Sequence, residues 1–532
     1  MSRDPSDSFA GGSAAMDTAA DRGFFGHPRG LATLFFTEMW ERFSFYGIRP
    51  LLILFMAAAV TQDGFGFERD QASAIVGIYA AAVYLSSLPG GWVADRLLGL
   101  RRAILWGGVL ISAGHISIGI SAFAAGKAPF FLGLVLIVLG TGLLKPNISA
   151  IVGDLYPEGG ARRDAGFSIF YMGINVGALL GQFVAGFLGE KVGWHWGFGV
   201  AGVGMLAGLF VYLVTQGRTL GDIGLEPTKH PDPGVQARQQ RNGWLAVGLG
   251  MGIVAAVFLL AATGVITLDA QAIGRSMTYV IVGAAVAYFA YIFLLGGLNS
   301  DEKKRVLVIA VLFLAAAVFW SAFEQAPTSL NLFAADFTNR MVGSFEVPAT
   351  WFQPVNSFFI VLLAPVFAAL WVGLAKRGFD LSSPTKFAFG LAFAGVGFLL
   401  MIMAANKVVS GGAGTLVSPW WLIGSYFFQT VGELCLSPVG LSSMTKLSPR
   451  KYVGQMMGIW FMASALGNLI AGLVGGNVDP EKLEQMPQLF TMTTASLFIA
   501  AVVLGLMIVP IRRMMARSGE TATATATAGG AE

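Results

Sequence analysis

Four charged side chains, Glu38, Glu41, Arg42 and Arg49, stand within twelve residues of an otherwise apolar stretch, "FTEMWERFSFYGIRPLLILFM" (36–56). At about 100° per residue in a helix, positions 38, 41, 42, 45, 46 and 49 share one face. Two carboxylates, two guanidiniums and the Tyr46 phenol then line up on one side of an apolar helix. A carboxylate beside a base keeps its charge, while one left alone in an apolar setting takes a proton, so such a face can load and release H+. Three more charges sit inside apolar runs: Lys145, Glu324 and Glu433. Each charge at a bilayer centre costs about 2.5–3.5 kcal/mol. Four acids and three bases are tolerable there only if they meet one another, a polar cavity or a ligand. Transport or a proton relay would use them; the pattern alone chooses neither.

The elements that must position these residues are membrane helices. The chain has 532 residues, 55% hydrophobic and only 12% charged, with 70 Gly, and its mean hydropathy is +0.68. A soluble protein of this size carries roughly 25% charged residues. Fourteen apolar segments of about the 20 residues that a bilayer requires run between residues 31 and 511, joined by short polar turns. With both termini placed in the cytoplasm, 24 Lys and Arg fall in inward-facing segments, seven in outward loops and three within spans. That asymmetry matches the positive-inside rule. Residues 1–26 show no apolar core behind a basic start, so no cleaved signal is expected. The tail "TATATATAGGAE" is low in complexity and expected to be disordered. One cysteine, Cys435, excludes an internal disulfide framework and a thiolate metal cluster. "GTGLLK" (140–145) follows no strand and lies in an apolar run, which argues against a phosphate-cradling loop. His115 has no acid nearby in sequence and reads as a packed residue. No soluble domain long enough for signalling and no Ser/His/Asp set in the spans argue against a receptor or an enzyme, and nothing points to nucleic acid.

Glu38-x-x-Glu41-Arg42-Phe43-x-x-Tyr46-Gly47 resembles the first-span signature of the proton-coupled oligopeptide transporters of the major facilitator superfamily. "GTGLLKPNIS" (140–149), "FYMGINVGAL" (170–179) and "GELCLSPVGLS" (432–442) resemble that family's fourth-, fifth- and tenth-span motifs. "FWSAFEQ" (319–325), "FQPVN" (352–356) and "GIWFMASALGN" (458–468) fit as well, and "DRLLGLRR" (95–102) resembles the loop motif common to major facilitators. The resemblance spans residues 28 to 513. Two positions depart from it: Phe45, where a Tyr is usual, and Ala178, where a Ser is frequent. The first removes a hydroxyl near the expected site and bears on peptide preference.

The resemblance implies an all-α polytopic membrane protein with the major facilitator fold: two six-helix bundles plus two extra helices between them, fourteen transmembrane helices in all. The expected divisions are a cytoplasmic tail (1–27), an amino-terminal bundle (28–217), a linker with the two inserted helices (218–304), a carboxyl-terminal bundle (305–513) and a disordered tail (514–532). It implies a proton-coupled symporter that imports di- and tripeptides by alternating access, with H+ as coupling ion and no cofactor or metal. It would be a monomer in a bacterial inner membrane with both termini cytoplasmic. Glu38, Glu41, Arg42 and Glu324 would couple protons. Arg49 and Lys145 would meet the peptide carboxylate and Glu433 its ammonium. Asn175 and Asn356 would bond backbone or terminal groups, and Tyr46, Tyr84, Trp320 and Trp460 would wall the side-chain pockets. Arg49 with Glu324, and Lys145 with Glu433, would form gating pairs. The alternative is a proton-coupled carrier of another small solute, such as nitrate or a peptide-like compound.

Overall fold

A computed structural model describes residues 21–122, 126–378, 381–412 and 414–528. Residues 1–20 of the expected amino-terminal tail and 529–532 of the carboxyl-terminal one lie outside the described residues. The apolar segments become helices α1 (Arg29–Ala57), α2 (Arg69–Val93), α3 (Leu100–Ile120), α4 (Ala128–Asp154), α5 (Gly160–Phe187) and α6 (Trp194–Thr219), then α7 (Pro233–Ala262) and α8 (Ala270–Leu295). There follow α9 (Ser300–Phe323), a short α10 (Ser329–Phe337), α11 (Pro354–Lys376), α12 (Ser383–Gly411), α13 (Trp420–Leu447), α14 (Val453–Gly475) and α15 (Gln485–Ala528). Twelve of these are long and apolar enough by composition to cross a membrane. α1 and α13, at 29 and 28 residues, complete fourteen; they carry the buried or half-buried carboxylates Glu38, Glu41 and Glu433.

Packing divides the helices into two sets. α1 packs on α5 and α6, and α4 on α2 and α3; α12 packs on α13 and α15, and α9 on α14 and α15. Among the described residues α7 buries only Gly243, whereas α8 seats Ile281, Ala285 and Ile292 in the core against α2 and α14. Asp269, the boundary charge of this pair, caps α8 by accepting from the amides of Gln271 (2.9 Å) and Ala272 (3.2 Å), which gives the first-turn amides the partner they otherwise lack. α15 differs from expectation, since it continues as helix past 513 to Ala528. Alanine at alternate positions keeps helix propensity high, and a helix already nucleated adds one bond per added residue.

Between the bundles α2 packs along α14, from Ser73 beside Gly475 to Leu88 beside Gly458. Call the end holding the chain termini and the α2–α3 turn the terminal end, and the opposite one the far end. At the far end α2 packs against α14 so closely that a Cβ on Gly77 would lie 2.7 Å from Gly472 Cα and 2.8 Å from Asn468 O. α5 there also meets α11 and the turn Ala349–Phe352 before it. At the terminal end, among the described residues, α4 and α5 make no substantial packing against α13 or α14. The interface is therefore shut at the far end, while α4 and α5 stand apart from α13 and α14 at the terminal end.

Candidate functional site

The charged face of α1 turns into the amino-terminal bundle. Glu38, Glu41 and Arg42 are each no more than 2% exposed. Arg42 Nε lies 2.8 Å from Glu38 Oε1 and 2.6 Å from Glu41 Oε2. The cluster is compact but not saturated: Glu38 Oε2, Glu41 Oε1 and Arg42 Nη2 have no hydrogen-bond partner. Buried carboxylate oxygens without donors are the groups that a proton would satisfy. Phe45 belongs to this cluster rather than to an open wall. It is buried, stacks on Tyr79 at 6.2 Å and receives the Arg42 guanidinium at 5.5 Å from its ring centroid. The hydroxyl missing from position 45 is thus missing beside the Glu38–Glu41–Arg42 cluster. His115 is buried in the same bundle and hydrogen-bonds Ser44 of α1.

Two turns further along α1, Arg49 crosses to the other bundle. Its Nη2 donates to Glu324 in a short ion pair and to Asn468 Oδ1 at 2.9 Å. Asn468 in turn donates to Ser464 O at 2.9 Å, which fixes its amide orientation. Asn331 of α10 adds a further bundle-to-bundle bond, donating to Pro50 O at 2.7 Å. Arg49 and Lys145 each stand immediately before a helix-interior proline, Pro50 and Pro146. A proline supplies no amide to the carbonyl one turn back, so both helices carry backbone irregularity beside a charge.

The other expected pair is apart. No ion pair joins Lys145 to Glu433; Lys145 Nζ instead lies 4.5 Å from the Tyr84 ring centroid. Glu433 Oε2 accepts from Asn356 Nδ2 at 3.2 Å, and the same amide donates to Thr430 Oγ1 at 2.9 Å. Lys145, Tyr84 and Tyr46 on one bundle, and Glu433, Asn356 and Trp320 on the other, are all half-buried. The Trp320 indole N–H has no acceptor. Asn175 is half-buried on α5 and gives its amide to Tyr171 O of its own helix at 2.9 Å. The exposed Tyr171 side chain comes within electrostatic reach of Glu433. Trp460 departs from its expected place on the wall. It is 5% exposed, and its indole fills the slot left by Gly440, where a Cβ would lie 2.1 Å from the ring.

A second set of contacts closes the far end. Glu190, in the turn Leu188–Val192 after α5, accepts from Ala349 N (2.8 Å), Thr350 N (2.9 Å) and Thr350 Oγ1 (2.7 Å). A carboxylate of one bundle thereby caps the helical start of the other. Lys191 pairs with Glu346 at 2.8 Å, Arg340 pairs with Glu346 at 2.8 Å, and Arg69 pairs with Asp336. Charge-assisted bonds contribute about 1.5–3 kcal/mol each. Glu190→Ala should therefore raise the fraction open at the far end roughly tenfold or more. Spin labels at 192 and 344, in a background lacking Cys435, would read that as a longer inter-label distance.

Lys191 by hydrogen bond, and Arg340 by charge, hold the Glu346 carboxyl below its ordinary value. A carboxylate so depressed keeps its contribution above the ordinary value and loses it only as pH falls through the lowered one. The Glu346 links should then be unchanged between about pH 7.5 and pH 5. The same label pair should report one distance across that range, and Glu346→Gln should lengthen it equally at both ends.

A profile of the POT family matches residues 101–489. The peptide transporter YePEPT of Yersinia enterocolitica is 50% identical over 506 residues, covering 94% of this chain and 98% of that protein. The chain belongs to the POT family. A di-/tripeptide transporter of Lactococcus lactis subsp. cremoris is 39% identical, over 85% of this chain and 89% of its own. A crystal structure of a peptide transporter POT in complex with sulfate superposes with a TM-score of 0.85 at 40% identity, covering 93% of this chain and 97% of that one. A POT family transporter in complex with 5-aminolevulinic acid gives a TM-score of 0.83 at 34% identity. The POT fold thus accounts for the helix count and the paired bundles. Asn468, Asn331, Tyr171 and Glu190 are the POT-chain residues at this interface to which sequence reasoning gave no role. Asn468 stood inside a quoted motif, while Glu190 lies in a turn, where a charge attracts no notice.

Proposed function

We propose that this chain is a proton-coupled symporter that imports di- and tripeptides across a bacterial inner membrane, as a monomer with both termini cytoplasmic. One observation carries the substrate class. A base, Lys145, and an acid, Glu433, stand half-buried on opposite bundles without pairing to each other. A short peptide is a zwitterion, and binding it away from water requires a base for its carboxylate, an acid for its ammonium and amides between. Lys145 with Arg49 takes the carboxylate, Glu433 held by Asn356 takes the ammonium, and Trp320 and Tyr84 accept varied side chains. The names of the POT relatives as peptide transporters support the same reading.

The terminal end faces the cytoplasm by its excess of Lys and Arg, so the conformation is inward-open. Alternating access then rocks the bundles about the site. Separation of Arg49 from Glu324 opens the far end, and a proton can take the place of the guanidinium on Glu324. Glu38, Glu41 and Arg42 hold the second protonatable group. Transport of an unmodified solute requires neither catalysis nor a cofactor. Labelled dialanine and labelled nitrate, offered separately to proteoliposomes under an inward-acid gradient, test the substrate class. Dialanine should accumulate unchanged and nitrate should not; the reverse result refutes the reading.

A further inference from the structure

The spanning part of α7, residues 244–262, buries nothing among the described residues. Its foot touches the body where Gly243 lies against Leu97 and Trp92. α7 packs substantially only on the turn Ala94–Leu98, whereas α8 packs on α2 and α14. Above the foot the helix stands free, and in a bilayer the gap beside it must be filled by hydrocarbon, since an empty void forfeits contacts on both walls.

Below the foot, toward the terminal end, is a cavity of about 470 Å³ between the α2–α3 turn and the first turns of α7. Leu97 and Pro233 give it an apolar floor, and Arg102, Lys229, Glu226 and Gln236 form its polar wall. Arg96 stands beside it, held to Gln239 at 3.3 Å. Glu226 pairs with Lys229 at 2.5 Å, so the lining holds two bases, Arg102 and Lys229, against one acid. Trp92 and Trp244, both exposed, mark the depth at which headgroups meet chains.

We propose that this cavity binds one anionic phospholipid, its phosphate beside Arg102 and Lys229 and its acyl chains passing the foot to lie along the free face of α7 toward the amino-terminal bundle. Basic pockets at the ends of membrane helices select anionic headgroups, and the exposed apolar face of α7 just above the foot, with Leu245, Leu249 and Ile253, distinguishes a lipid from free phosphate. The inserted helix is thereby joined to the transporter through a lipid as well as through its foot.

Native mass spectrometry of the purified full chain, given dioleoylphosphatidylglycerol or dioleoylphosphatidylcholine, tests this. Phosphatidylglycerol should be retained in preference to phosphatidylcholine. Arg102→Gln with Lys229→Gln should reduce that preference at least tenfold, at roughly fivefold per basic residue. Glu226→Gln should raise it a few-fold, a gain that misfolding does not produce. Lys303→Gln with Lys376→Gln, exposed bases on the same end but away from the cavity, should leave it unchanged. Equal loss in that control, unchanged retention in the Arg102/Lys229 double variant, displacement of the lipid by inorganic phosphate, or a lipid-free dimer broken by Arg102→Gln would each overturn the proposal.

Discussion

Glu41→Gln should lower proton-driven accumulation of dialanine in proteoliposomes by at least about 100-fold while leaving the protein folded and able to exchange peptide for peptide. The asymmetry follows from the cluster. Arg42 is buried and has two acids against it, at 2.8 and 2.6 Å. Neutralising one leaves the guanidinium paired with Glu38, so no buried charge is stranded. Gln also keeps the shape of the side chain. What disappears is one of the two carboxylates through which α1 could carry a proton. Removing Arg42 instead would leave both carboxylates uncompensated, and breaking a buried pair by deleting one partner costs about 3–5 kcal/mol. Arg42→Ala should therefore fail in assembly, whereas Glu41→Gln should fail in coupling. Retained full pH-driven uptake by Glu41→Gln would remove the cluster from the mechanism.

Arg49→Ala should abolish accumulation by another route. Glu324 is 5% exposed and, once Arg49 is lost, has no base beside it in the far-end-closed state. The cost of about 3–5 kcal/mol falls on that state alone, because the pair exists only while the bundles touch there. The equilibrium should move toward far-end opening by a factor of at least about 100, read as a longer distance between labels at 192 and 344. Removal of Glu324 as well should restore much of the closure, since the stranded charge is gone, but not uptake. The double-mutant cycle isolates the pair from the Asn331 and Glu190 contacts, which remain intact. Equal label distances in all four proteins would show that the ion pair does not set the conformation.

The charged face of α1 was legible because charge inside an apolar run is rare, and helical spacing then placed the charges together. Span count was legible because hydropathy reports what a bilayer demands of each helix separately, while the two-bundle grouping came only from the resemblance to the oligopeptide transporters. Burial between helices is a different matter. Trp460 read as a wall residue and Phe45 as a lost hydroxyl near the site, yet both are packed, one into the space at Gly440 and the other onto Tyr79. Neither fact follows from their own helix. The far-end contacts were invisible for a further reason. Glu190 and Thr350 lie 160 residues apart, in turns where charged and polar residues are ordinary.

The central claim is that buried acids and bases at one interface couple proton flow to movement of a zwitterion. Dialanine uptake into proteoliposomes under an imposed inward-acid pH gradient, with and without a protonophore, tests it most directly. Dialanine should accumulate above equilibrium and fall to the equilibrium level when the protonophore is added. Accumulation that survives the protonophore would contradict it.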